Sequence, residues 1–127
     1  MLAVLWADLD SVNGRVSFTA NASAAVISFD SVPYLGASPR DGLATFQAVL
    51  YPDGTIDLNY ATVGYHSMQD QHSPSSIGLD DSTWRFGAQL AFGWEDLPED
   101  QTSFRITPSA DPHVMTSDGL VRCSKRA

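Results

Sequence analysis

The stretch that decides the fold class is Ala44-Thr45-Phe46-Gln47-Ala48-Val49-Leu50-Tyr51-Pro52-Asp53-Gly54-Thr55-Ile56-Asp57-Leu58-Asn59-Tyr60. Within it, apolar and polar side chains alternate with a period of two on both sides of Pro52-Asp53-Gly54. This alternation is typical of half-buried β-strands, because successive side chains of a strand point to opposite faces of its sheet. The stretch therefore predicts two antiparallel strands joined by a tight turn.

The turn also fixes how the two strands pair. If Tyr51 and Thr55 flank a three-residue loop, Leu50 lies opposite Ile56, Ala48 opposite Leu58 and Phe46 opposite Tyr60, so both apolar sets share one face. Such loops combine a type I turn with one residue in the left-handed conformation, and Pro52-Asp53-Gly54 supplies suitable residues in that order. We therefore predict that Phe46, Leu50, Ile56 and Tyr60 face the core.

Composition extends this interpretation to the whole chain. The 127 residues suffice for one hydrophobic core, and 13 Asp, 2 Glu and a single Lys leave few of the charged residues that cover solvated helices. Turn signals recur at short intervals between apolar segments. We predict an all-β chain: a single antiparallel β-sandwich-like domain built from hairpins over residues 1–107, with a flexible, polar and basic-ended tail over residues 108–127.

Several further strands are expected. Leu2–Asp10 and Arg15–Ala20 are predicted to form a second hairpin, since Asn13-Gly14 suits a type I′ turn. Ala24–Phe29 follows as another strand, and the loop of about residues 33–43 is expected to be exposed. Short strands are also predicted at three later places in the chain, namely Ser76–Leu79, Arg85–Phe92 and Ser103–Thr107.

Charge argues against two classes of partner. Residues 1–121 carry 15 acidic side chains against 4 arginines, a balance of −11, and such a surface repels nucleic-acid phosphates and anionic membranes. No stretch reaches the roughly 18 apolar residues that span a bilayer, and Met1–Trp6 is too short for the apolar region of a signal peptide. We expect no nucleic-acid binding and no membrane insertion.

Catalysis is not expected from the pattern of nucleophiles and bases. The histidines are His66, His72 and His113, and no GxSxG, HExxH or glycine-rich phosphate loop accompanies them. Cys123, the only cysteine, cannot form an intrachain disulfide and is expected as a free thiol or an intermolecular bridge. A small enzyme using His66 or His72 stays open as an alternative, on residue identity alone.

Two pairs of aspartates are weak candidates for a cation site. Asp8 and Asp10 are two residues apart on a predicted strand, and Asp80 and Asp81 lie in a predicted turn. Calcium prefers six to eight oxygen ligands, and the sequence has no DxDxDG loop. We expect these carboxylates to cap strand ends and turns instead, and we expect no cofactor.

Aromatic residues divide between core and binding roles. Trp6 and Phe46 lie in apolar alternations and are expected in the core. Tyr34 and Tyr65 lie in predicted loops and are better candidates for binding, as are Arg40, His66 and His72. An exposed tryptophan together with Tyr34 and Tyr65 would suit the C–H face of a sugar. Asn21-Ala22-Ser23 matches the acceptor motif for N-glycosylation.

Two motifs resemble those of a known family. Leu5-Trp6-Ala7-Asp8-Leu9-Asp10 with Asn13-Gly14-Arg15-Val16 resembles the opening of nidogen-like extracellular domains, and Thr45 to Gly54 resembles their central TFQxxLxxDG hairpin. Val32-Pro33-Tyr34 and Ile77-Gly78-Leu79 are similar to pieces of bacterial-type relatives, so the resemblance covers roughly residues 2–107. It implies a β-rich domain of secreted or cell-surface proteins that acts in adhesion or matrix association, with no catalytic residues.

Together, these observations predict a noncatalytic extracellular protein-interaction or adhesion module. Its loops, about residues 33–43 and 63–75, would meet another protein or a matrix component, because loops on a rigid scaffold commonly carry binding residues. The alternative is an ancillary carbohydrate-binding domain of a secreted hydrolase, with a glycan as ligand. We expect an extracellular or cell-surface location on the basis of the family resemblance.

Overall fold

The computed structural model describes residues 1–36, 42–64, 75–80, 87–93, 97–108 and 121–123. These residues form nine β-strands in two antiparallel sheets that pack against each other, so the predicted all-β sandwich is confirmed. The described residues include no helix, and thus none long and apolar enough to cross a membrane.

A six-stranded sheet forms one layer and a three-stranded sheet the other. The large sheet has the order β2-β3-β4-β5-β8-β9 and the small sheet the order β1-β6-β7. The strands are β1 (Leu2–Trp6), β2 (Arg15–Ala20), β3 (Ala25–Pro33), β4 (Leu43–Leu50), β5 (Ile56–Thr62), β6 (Ser76–Asp80), β7 (Gly87–Phe92), β8 (Thr102–Ile106) and β9 (Val121–Cys123).

The hairpin of β4 and β5 has the predicted register. Leu50 pairs with Ile56, Ala48 with Leu58 and Phe46 with Tyr60. The Tyr51 N–H donates to the Thr55 carbonyl at 2.9 Å and Gly54 has φ of 84°, as the three-residue loop requires. Asp53 accepts a hydrogen bond from the Thr55 N–H, which lowers the pKa of that carboxyl group.

Apolar rows cross the large sheet on its inner face. Directly opposed residues of antiparallel strands share a face, so the pairing itself defines these rows. One row contains a stacked aromatic pair, with the ring centres of Phe29 and Phe46 4.5 Å apart. The rows are Val16-Phe29-Phe46-Tyr60, Phe18-Ile27-Ala48-Leu58-Phe104 and Ala20-Ala25-Leu50-Ile56-Ile106.

The small sheet covers the central part of these rows. Leu5, Ile77 and Ala91 are buried and belong to the same core cluster as Phe46, Ala48, Leu58, Tyr60 and Phe104. The Tyr60 hydroxyl donates to the Val4 carbonyl and so joins the two layers. Because Tyr60 is buried, its pKa is raised far above the usual range of a phenol.

The predicted hairpin of Leu2–Asp10 with Arg15–Ala20 is wrong. Strand β1 pairs with β6 in the small sheet, whereas β2 pairs with β3 in the large one. Asn13 and Gly14 lack the positive φ that a type I′ turn needs. A Cβ on Gly14 would lie 2.6 Å from the Val32 backbone, so a close chain approach explains this glycine. The segment connects the two layers.

The remaining strand predictions agree with the structure in part. Strands β6, β7 and β8 lie where three short strands were expected. Strand β9 pairs with β8 although it falls in residues 108–127, so residues 121–123 belong to the sheet and not to a tail. In the loop predicted as exposed, Pro33 and Tyr34 are buried, and Leu35 and Gly36 are exposed.

Candidate functional site

The two predicted interaction loops start from one end of the large sheet. The first leaves β3 after Pro33 and returns at Leu43, and the second leaves β5 after Thr62. Strand β4 lies between β3 and β5 and is antiparallel to both, so the end of β3, the start of β4 and the end of β5 lie side by side. The topology therefore brings together the roots of two loops that are about 20 residues apart in the sequence.

Two side-chain hydrogen bonds join these loop roots. The Thr62 hydroxyl donates to the Leu43 carbonyl at 2.9 Å. The Tyr34 hydroxyl donates to the Val63 carbonyl at 2.7 Å, and the Val63 N–H donates to Asp100 Oδ1 at 2.8 Å. The bonds of Thr62 and Tyr34 link the two loop roots to each other, and the bond of Val63 links the second root to the segment before β8. The roots are therefore held in one fixed arrangement.

The backbones also touch at a pair of glycines. A Cβ added to Gly42 would lie 2.1 Å from the Gly64 carbonyl oxygen, and one added to Gly64 would lie 2.8 Å from the Gly42 carbonyl carbon. Their φ angles are 145° and 70°, a region that residues with a side chain rarely adopt. Two glycines are therefore required at this contact, which joins the roots of both loops.

Tyr34 does not lie on an exposed loop, so its prediction as a surface binding residue is wrong. Its side chain is 2% exposed and belongs to the core cluster. A β-bridge to Leu9 and a bond from the Leu35 N–H to the Asp8 carbonyl hold the backbone against the segment after β1. Burial raises the pKa of the Tyr34 hydroxyl to about 12, and this group acts as a structural donor.

The other loop candidates lie outside the described residues. They are Arg40 in the first loop and Tyr65, His66 and His72 in the second. Their sequence positions place each of them between described loop roots, and their roles stay predictions.

The aspartates show turn capping at one position. Asp10 accepts hydrogen bonds from the Val12 N–H and from Asn13 Nδ2, at 2.9 and 2.8 Å. Asp80 lies at the end of β6 and pairs through its backbone with Met1. No group of three or more potential metal ligands occurs among the described residues, which include Asp8, Asp10 and Asp80 but not Asp81.

Trp6 is exposed, so the expectation that it fills the core is wrong. It lies opposite Ser76, which in turn lies opposite Phe92, so the three residues form a row across the small sheet. The neighbouring residues Leu5, Ile77 and Ala91 are buried, which places this row on the outer face. Trp6 is 60% and Phe92 54% exposed, on strands about 10 Å apart.

The outer face of the large sheet carries a depression. This shallow depression of about 290 Å³ is lined by polar and apolar residues of β3, β4 and β5, among them Thr45 and Asn59. Two of its polar groups already bond within the sheet: Thr45 Oγ1 accepts from the Ser31 N–H, and Asn59 Oδ1 accepts from the Ser103 hydroxyl. This depression is therefore explained by sheet structure and is a weaker site than the loop roots.

Sequence reasoning missed the Gly42–Gly64 contact and the row of Trp6 and Phe92. The row depends on strand order, which the local pattern does not contain, and the glycine contact lies at the open end of the β4–β5 hairpin, beyond residues 44–60, whose pairing the pattern predicted. One signal was available: Gly42 lies two residues before the predicted hairpin of residues 44–60 and Gly64 four residues after it, so both flank its open end.

Comparison with models of protein families, with curated proteins and with solved structures finds no match to this chain.

Proposed function

We propose that this chain is a noncatalytic protein-interaction module whose two loops, about residues 33–43 and 63–75, form one binding surface. The nidogen-like motifs suggest that the partner is an extracellular protein or a matrix component. The observation that carries the proposal is the contact of Gly42 with Gly64 at the roots of both loops. Because the roots touch, residues from both loops are able to contact the same partner.

The structure of the scaffold supports the same role. The loop roots are fixed to a buried core through Tyr34, Val63 and Leu43 and so are held by rigid elements. A rigid base lowers the entropy that a loop loses when it binds, which favours affinity. The proposal therefore predicts that binding depends on how the two roots are held together as well as on the loop side chains.

The test uses two matched glycine variants and a panel of purified extracellular-matrix proteins. Gly64→Ala introduces a Cβ 2.8 Å from the Gly42 backbone, whereas Gly93→Ala, at a similar φ of 78°, meets nothing within 4 Å. Both variants carry comparable backbone strain, and only the first disturbs the loop contact. We expect Gly64→Ala to weaken binding by about tenfold or more and Gly93→Ala to leave binding unchanged.

A scan of single substitutions completes this test. Substitutions at Arg40, Tyr65, His66 and His72 are expected to weaken binding, whereas substitutions on exposed strand faces are expected to have no effect. If loss of binding maps to the strand faces while both loops are silent, the proposal is wrong.

The exposed row of Trp6 and Phe92 favours a second candidate, carbohydrate binding. Two aromatic faces flanking the small residue Ser76 offer an apolar platform for the C–H face of sugar rings. Tyr34 no longer belongs to this candidate because it is buried. A glycan array separates the two functions: Trp6→Ala and Phe92→Ala would abolish glycan binding, and Gly64→Ala would not.

A further inference from the structure

The free edge of strand β2 is the feature that the proposed function leaves unexplained. In the described part of the chain β2 pairs only with β3, and it forms one end of the large sheet. All six of its residues are exposed, including Val16 at 49% and Phe18 at 68%. Exposed edge strands with apolar side chains are sites of pairing with another chain.

The hydrogen-bond pattern shows which backbone groups face this free edge. The Asn21 N–H donates to the Ala24 carbonyl, so Asn21 and Ala24 form a hydrogen-bonded pair at the turn between β2 and β3. Hydrogen-bonded and non-hydrogen-bonded pairs alternate along an antiparallel ladder. Counting back from this turn, the N–H and C=O groups of Val16, Phe18 and Ala20 point away from β3.

These groups are complementary to a second copy of the same edge. In an antiparallel pairing about a two-fold axis through Phe18, Phe18 pairs with Phe18 of the second copy, and Val16 pairs with Ala20 in both directions. Each of the three pairs exchanges two hydrogen bonds, so every edge-facing group from Val16 to Ala20 finds a partner. The same register places each Phe18 ring beside its counterpart on the inner face.

Charge permits this approach in a strongly acidic chain. Residues Val16 to Ala20 carry no charge, in a protein with a net charge of −8. At one end of β2, Arg15 lies 3.8 Å from Asp30 and offsets that carboxylate. The two-fold register puts the Arg15 residues of the two copies at opposite ends of the pairing, so like charges are kept apart.

β2 also lacks the features that commonly block pairing at an edge. It contains no proline, no bulge interrupts its pairing with β3, and no charged side chain lies within Val16 to Ala20. We propose that two copies of this chain associate through β2 and join their large sheets into one continuous antiparallel sheet. The pairing is only about 20 Å long, so the dimer is small in buried area and forms reversibly.

Sedimentation velocity tests the dimer, with the full chain carrying Cys123→Ser so that a disulfide cannot join two copies. As the protein concentration rises from about 5 µM to about 500 µM, we expect the weight-average sedimentation coefficient to rise towards that of a dimer. Phe18→Lys should raise the dissociation constant by more than about tenfold, because it removes the paired rings and adds two facing charges. Val12→Lys is the matched control: Val12 is also an exposed apolar residue, 88% exposed against 68% for Phe18, but it lies outside β2, so this variant should leave the dissociation constant unchanged.

Cysteine cross-linking tests the register. Ser17 and Thr19 of different copies lie directly opposite in the proposed pairing, at a spacing that permits a disulfide. Mixing Ser17→Cys with Thr19→Cys, each in the Cys123→Ser background, should give a covalent heterodimer in excess of either homodimer. A chain that is monomeric over the whole concentration range, a dimer that persists in Phe18→Lys, or equal cross-linking in all mixtures would overturn the proposal.

Discussion

At the scale of single residues, the ion pair of Asp57 with Arg105 is the best-defined interaction on the outer face. The two residues lie directly opposite on β5 and β8, and both Arg105 Nε and Nη2 donate to the carboxylate, at 2.6 and 2.7 Å. Tyr51 adds a third donor at 3.1 Å. The hydrogen bonds from Arg105 lower the pKa of Asp57, and the bond from Tyr51 lowers it further. Partial burial raises this pKa, but by less than the Arg105 bonds lower it.

This pKa shift predicts a pH-dependent contribution to stability. The folded pKa of Asp57 lies below its unfolded value, so the contribution is present above the unfolded value, near pH 4, and is lost as the pH falls through the folded value. Asp57→Asn should lower the free energy of unfolding by about 1 kcal/mol at pH 7 and by less at pH 3. Urea unfolding at both pH values measures the difference.

Asp30→Asn is the control for this prediction. Asp30 also faces an arginine, but at 3.8 Å and with both side chains more than half exposed. Its substitution should change stability little, since exposed ion pairs contribute weakly. An equal loss for both variants, or a loss for Asp57→Asn that does not vary with pH, would contradict the assignment.

At the scale of elements, the hairpin of β4 and β5 depends on its turn. Gly54 has φ of 84°, and its N–H donates to the Tyr51 carbonyl at 3.0 Å. The left-handed conformation costs a residue with a side chain roughly 1–2 kcal/mol, and a β-branched residue more. A Cβ at this position would also lie 2.9 Å from Pro108 Cγ.

We therefore predict that Gly54→Val destabilises the protein by about 2 kcal/mol, measured as a lower melting temperature and urea midpoint. Gly54→Asn separates the two causes, because asparagine tolerates the left-handed region but carries the same Cβ near Pro108. A smaller loss for Asn than for Val identifies backbone conformation as the main cause. An unchanged melting temperature for Gly54→Val would count against the turn.

At the scale of the whole molecule, buried tyrosines connect its parts. Tyr60 joins the two sheets through the Val4 carbonyl, and Tyr34 joins the two loop roots through the Val63 carbonyl. Burial raises the pKa of both hydroxyls above the unfolded value of 10. Each phenol therefore stays neutral in the folded protein at pH values where the unfolded chain ionises it.

This difference predicts that stability declines as the pH rises above 10. Between the unfolded and folded pKa values, each buried tyrosine contributes a slope of about 1.4 kcal/mol per pH unit. Tyr60→Phe should cost about 1 kcal/mol at neutral pH through the lost hydrogen bond. In a series of urea titrations from neutral to alkaline pH, Tyr34→Phe with Tyr60→Phe should flatten the decline. The same slope in the double variant and the wild type would refute this explanation.

Local sequence alone determined the class of structure and one hairpin in detail. The alternation from Ala44 to Tyr60 and the turn at Gly54 predicted strand pairing, register and buried face, because all the interactions concerned lie within 17 residues. The same reasoning failed at Asn13-Gly14, where the dipeptide suited a local turn but the chain crosses between layers. The free energy gained from a favourable turn dipeptide is smaller than the free energy gained by burying whole strands in different sheets.

Tertiary structure decided which surfaces are left for function. Trp6, Val16 and Phe18 have apolar patterns like those of core residues but are exposed. Trp6 lies on the outer face of the small sheet, and Val16 and Phe18 lie on β2, beyond the part of the large sheet that the small sheet covers. Conversely, Tyr34 lies in a segment whose Gly, Pro and Ser content predicted an exposed loop, but its side chain is buried and donates to the Val63 carbonyl. Exposure depends on which strands lie opposite in space, and strand order arises from contacts between residues far apart in the chain.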